Sequence, residues 1–89
     1  MQFQYAQEKN AQLIAERGIG FEEIIEAIQN GNLLDITQHH NQEMCPHQKI
    51  LHVRCLKQVY LVPYVVQKDK SIFLKTLYSS RKATKKWLG

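Results

Sequence analysis

Hydrophobic periodicity changes once along this chain, and that change restricts the folds open to it. Early on, Phe21, Ile24, Ile25 and Ile28 recur at i, i+3, i+4 and i+7, the stripe of a helix that buries one face. In the second half the step is two. Leu51, Val53 and Cys55 alternate with Ile50, His52 and Arg54, as in a strand with two different faces. Helices that come first and strands that follow do not interleave into a parallel sheet. They form an antiparallel meander with helices packed on it, an α+β arrangement.

The boundaries can be read from local chemistry. "FQY" at residues 3–5 suits a short strand, and residues 6–17 are rich in good helix formers, with Ala6, Leu13, Ile14 and Arg17 on one face. Gly18 ends that helix as a C′ glycine does. The second helix starts near Phe21, carries Glu22 and Glu23 in its first turn, and stops at Asn30-Gly31. "LLDI" at 33–36 reads as a short strand and residues 37–47 as a polar loop. "KILHVRCL" and "VYLVPYVV" read as a hairpin turning at Lys57-Gln58, with Pro63 implying a sheet edge or a bulge. "KDK" at 68–70 is the next turn and "SIFLKTLY" the last strand. A short basic helix begins at Arg81, capped by Ser79 or Ser80 and anchored by Trp87.

Eighty-nine residues make one domain, 1–89, and 44% apolar content suffices for a core. The longest apolar run, Val59 to Val66, is too short to span a membrane, and "MQFQYAQEKN" lacks the character of a signal peptide. The expectation is a cytoplasmic protein with Cys45 and Cys55 as reduced thiols. The net charge of +4 hides a split. Residues 1–48 hold two cations against seven acids, net −5, and residues 49–89 hold ten cations against one acid, net +9. A polyanion is drawn to the second half and repelled by the first.

Three constellations could carry chemistry. Lys75 alternates onto one face with Phe73 and Leu77, while Thr76 and Tyr78 take the other; it either reaches the rim or meets an anion. Arg81/Lys85 and Lys82/Lys86 are i, i+4 pairs whose like charges repel, a repulsion that an anionic ligand relieves; the alternative is a frayed terminus. His39, His40, Cys45, His47, His52 and Cys55 are six metal-ligand types close together, but they include no C-x-x-C and no H-x-x-x-H. We therefore expect no metal and no cofactor.

At this point the chain resembles the BrnT-like toxins of bacterial type II toxin–antitoxin systems. "FQYAQEKN" is similar to the family's F-x-W-D-x-x-K start, with Tyr5 for tryptophan, Ala6 for aspartate and Lys9 matching the lysine. "ERGIGFEEIIEAI" is similar to its R/H-G-V/I-S-F-E-E-A stretch. "SSRKAT" resembles its I-S-A-R-R-A-T close through Ser79, Arg81, Lys82, Ala83 and Thr84, with Thr76 where the family has an arginine. His39 matches a histidine of a sub-branch of short members. The resemblance implies a RelE-like fold, ribonuclease activity that arrests translation, and neutralisation by a cognate antitoxin, a small ribbon-helix-helix DNA-binding protein.

Metal-independent RNA cleavage uses the 2′-hydroxyl as nucleophile and needs a base, an acid and cations for the developing phosphorane charge. The expected catalytic residues are Arg81, Lys75, His39 and Tyr78. The expected RNA-binding residues are Lys9, Tyr64, Lys82, Lys85 and Lys86, with Tyr64 offering its ring to a base. The alternative is a binding module without catalysis that pairs with a DNA-binding antitoxin and tunes its repression.

Overall fold

The computed structural model describes residues 2–39, 41–44 and 47–89. In chain order the elements are β1 (Phe3–Gln4), α1 (Gln7–Arg17), α2 (Phe21–Gln29), β2 (Leu33–Gln38), β3 (Lys49–Cys55), β4 (Gln58–Val66), β5 (Ile72–Leu74), β6 (Tyr78–Ser79) and α3 (Arg81–Leu88). The strands form one mixed sheet in the order β1-β5-β4-β3-β2, with β6 also paired to β4. All pairs are antiparallel except β1 with β5. The fold is α+β with three helices on a mixed sheet. No helix among the described residues is long and apolar enough to cross a membrane.

One face of the sheet is covered by α1 and α2. Leu13, Phe21, Ile24 and Ala27 pack with Leu51 and Val53 of β3, Tyr60, Val62 and Tyr64 of β4, and Leu74 and Leu77. The period-two alternation sends Ile50, His52 and Leu61 to the opposite face, where α3 lies.

The entry to α2 explains two glycines. Gly18 sits at φ 71, the left-handed C-cap of α1, and its N–H donates to the Ile14 carbonyl. Gly20 is the N-cap of α2 and has no side chain to cap with. The Asn10 carboxamide of α1 takes over, accepting from Phe21 N–H at 2.8 Å, while Glu23 accepts from Gly20 N–H at 2.9 Å. A Cβ at position 20 would meet Asn10 Oδ1 at 2.5 Å and Ile14 Cγ1 at 2.9 Å. Close approach of two helices therefore fixes this glycine.

Four expectations are corrected. The sheet is mixed rather than an antiparallel meander, because β1 runs parallel to β5, and β2 continues through Thr37 and Gln38, where a loop was expected. The β3–β4 turn falls one residue earlier than expected: Cys55 pairs with Gln58, leaving Leu56-Lys57 as the loop, at φ 52 and 64. This left-handed pair suits Asn-Gly, and each L side chain there costs about 1–2 kcal/mol. The last strand is also not continuous. The β4–β5 register runs Tyr64↔Leu74, but β4–β6 resumes at Leu61↔Tyr78, one residue out of step. That extra residue, as in a β-bulge, flips the alternation. Leu77 turns into the helix-covered core, fully buried, and parts from Lys75. Arg17 Nη1 donates to the Leu77 carbonyl at 2.9 Å, so the interrupted ladder keeps a partner there.

Pro63 belongs to the same feature. Its carbonyl accepts from Lys75 N–H at 2.8 Å, so its nitrogen also faces the β5–β6 side, next to the break. A proline is tolerated inside the sheet because the ladder is interrupted beside it.

Gly20→Ala is expected to lower the unfolding free energy by about 1–3 kcal/mol, because the methyl group displaces the Asn10 cap. Urea denaturation of the variant beside the parent measures this.

Candidate nucleic-acid interface

α3 is not a frayed terminus. Ser80, not Ser79, caps it: Ala83 N–H donates to Ser80 Oγ at 3.1 Å. Ser80 N–H donates to the Val59 carbonyl at 3.0 Å, and Val59 N–H donates to Thr84 Oγ1 at 2.8 Å. The Thr84 hydroxyl in turn donates to the Ser80 carbonyl at 2.7 Å. Both backbone groups of buried Val59 are thereby satisfied by the helix. Ala83 is the buried residue of α3, and Trp87, 39% exposed, lines a cleft with His52 and Leu61 of the sheet.

The two i, i+4 pairs fall on different flanks. Arg81 and Lys85 line a cleft of about 480 Å³ with Lys57, Gln58, Thr84 and Leu88. Lys82 and Lys86 line a cleft of about 250 Å³ with His52, Leu61 and Trp87. Lys86 Nζ stands 5.3 Å from the Trp87 ring centroid, a cation–π distance.

The other expected site residues are distributed unevenly. The register shift brings Lys75 and Tyr78 onto the same face, where alternation had separated them. Lys75 lies beside Pro63 and Tyr78 beside Leu61, about 7 Å apart along β4. Lys75 is exposed, with its ammonium 5.5 Å from the Phe73 ring centroid, so its charge is solvated rather than buried. His39 follows β2, past the Gln38–Lys49–Tyr64 row and at the opposite end of β4 from α3. Its Nδ1 accepts from Asn41 N–H at 3.0 Å. Lys9 is on α1, in the layer across the sheet. Tyr64 is 6% exposed within the helix-covered core, so its ring has no face to offer a base.

Among the described residues no three His, Cys, Asp or Glu side chains converge as a metal site requires. His40 and Cys45 lie outside the described residues. Cys55 is a free thiol, and burial, then Glu23 and Glu26, push its pKa up.

His52, weighed in the sequence only as one of six metal-ligand types, and Lys57, read there only as a turn residue, both line these clefts. His52 Nε2 is 2.9 Å from Thr37 Oγ1, and its buried Nδ1 has no hydrogen-bond partner among the described residues. Burial pulls its pKa below 6.5; Asp35 opposes and Lys86 adds to the shift. Its signal in the sequence is a histidine between Leu51 and Val53, on the face that alternation assigns away from α2.

No protein-family model, curated protein or solved structure matches the chain.

Thr84→Val should destabilise the fold by about 1–3 kcal/mol, since it strands the buried Val59 N–H, and Thr84→Ser should restore most of that loss. Urea melts of the two variants distinguish the hydroxyl from the shape of the side chain.

A pH titration of stability tests His52. The unfolded chain takes up the proton near 6.5 and the folded chain resists it. Stability from this group is thus full above 6.5 and declines as pH falls toward the lower folded pKa. His52→Gln is expected to flatten that part of the profile.

Proposed function

We propose that this chain is the toxin of a type II toxin–antitoxin pair. In this reading it is RelE-like in arrangement and acts as a metal-independent endoribonuclease that arrests translation. A cognate ribbon-helix-helix antitoxin neutralises it, covering the basic helix with an acidic segment. The observation that carries the reading is α3 itself: a basic helix without an acid, latched to the sheet through Ser80 and Thr84. An ordered cationic surface of this kind suits a phosphate backbone better than a solvated tail does.

Arg81 is assigned to the developing charge of the transition state, and Lys75 and Tyr78 to substrate on the same sheet face. Lys82, Lys85 and Lys86 hold backbone. His39 is too remote from α3 to act with Arg81 on one phosphate. The second reading, a binding module without cleavage, is favoured by one observation. The cleft of Arg81 is lined by Lys57, Gln58, Thr84, Lys85, Leu88 and Gly89, which include no histidine and no carboxylate side chain to serve as a general base.

Labelled single-stranded RNA incubated with purified protein in excess chelator separates the two. Arg81→Ala is expected to slow cleavage by about 10²–10³-fold while weakening binding far less. Lys86→Ala should weaken binding and make its salt dependence shallower by about 0.7 in slope. Binding without cleavage by the parent selects the second reading, and absence of both refutes the RNA assignment.

A further inference from the structure

The turn between β3 and β4 carries two residues that its backbone does not favour. Leu56 and Lys57 hold φ of 52 and 64 where glycine or asparagine fits without strain. Leu56 is 64% exposed, so burial does not offset the strain. Lys57 has a different setting. It lines the cleft of about 480 Å³ whose other wall is the Arg81–Lys85 flank of α3. None of the lining side chains is acidic. Both walls are fixed, the hairpin by the β3–β4 ladder and α3 by its latch to Val59. Three cationic residues therefore line one cleft whose walls are set by the fold.

The hydrogen-bonding capacity of this cleft also suits an anion. The Thr84 hydroxyl is engaged by Val59 N–H and the Ser80 carbonyl. The other side-chain donors among the lining residues belong to Lys57, Arg81, Lys85 and Gln58. On the other side of the hairpin lies a groove of about 320 Å³ that Lys57 also borders, with Arg54, but there the acids Glu23 and Glu26 line the same wall and offset those cations. A phosphate chain is therefore drawn to the α3 side instead.

We propose that the cleft between the β3–β4 hairpin and α3 is a phosphate subsite that holds the RNA backbone, with Lys57 as its third cation. This rests on the RNA reading above and adds a residue and a path to it.

Lys57→Gly provides the test, because it relieves the turn and removes the charge. The variant is expected to melt at a higher temperature than the parent. Its affinity for a fluorescein-labelled oligouridylate should nevertheless fall, with the salt slope shallower by about 0.7. Opposite signs exclude unfolding as the cause of weaker binding. Lys70→Gly is the control: Lys70 is also left-handed, at φ 73, but does not line the cleft, so it should raise stability and leave the slope unchanged. Titration of the parent with inorganic pyrophosphate, followed by amide NMR shifts, should perturb Lys57, Arg81 and Lys85 together. An unchanged slope in Lys57→Gly, with a parent that binds RNA, overturns the subsite and leaves the RNA reading standing. Pyrophosphate shifts in a parent that ignores RNA support the phosphate site and overturn the RNA reading. Absence of both responses overturns both.

Discussion

The hydrogen bond from Val59 N–H to the Thr84 hydroxyl settles where the basic helix goes. Val59 is fully buried, so its N–H must find a partner within the protein. The ladder with β6 stops at Tyr60, and Ser80 and Thr84 take over where it ends. The same two residues that terminate the sheet therefore start the helix. This fixes the rotation of α3, which sends Arg81 and Lys85 to one flank and Lys82 and Lys86 to the other. A helix of eight residues is too short to be stable alone, so the orientation of its charges is set by this docking rather than by helix propensity.

The second constraint is the single extra residue between β5 and β6. It places a proline inside a sheet without a frustrated partner, turns Leu77 into the core, and puts Lys75 and Tyr78 on one face. Arg17 reaches from α1 to the Leu77 carbonyl and ties this irregularity to the helical layer. The charge split along the chain thus becomes a split through the thickness of the fold. Acids of α1 and α2 lie on one side of the sheet, and the cations of α3 lie on the other.

Much of this architecture was legible in the residues. The stripe of Phe21, Ile24 and Ile28 marked α2, and Gly18 marked the end of α1, because both signals depend only on neighbours in sequence. The β3–β4 turn was misplaced by one residue because Leu56-Lys57 has none of the usual turn chemistry. The break in the last strand carried no local signal apart from Pro63, which lies on the neighbouring strand. The role of Tyr64 as a stacking ring failed for a similar reason: alternation gives two faces but does not say which one the helices cover.

The sequence by itself determined the α+β composition, the order of elements and the accumulation of positive charge toward the C-terminal end. Each follows from periodicity, capping or composition, which act over a few residues. The tertiary structure decided that Ser80 rather than Ser79 caps α3, that Thr84 serves β4, and that Lys57 joins Arg81 and Lys85 around one cleft while His52 joins Lys82 and Lys86 around another. These pairings depend on strand register and on the partners required by buried backbone groups, and both are settled only when distant segments meet.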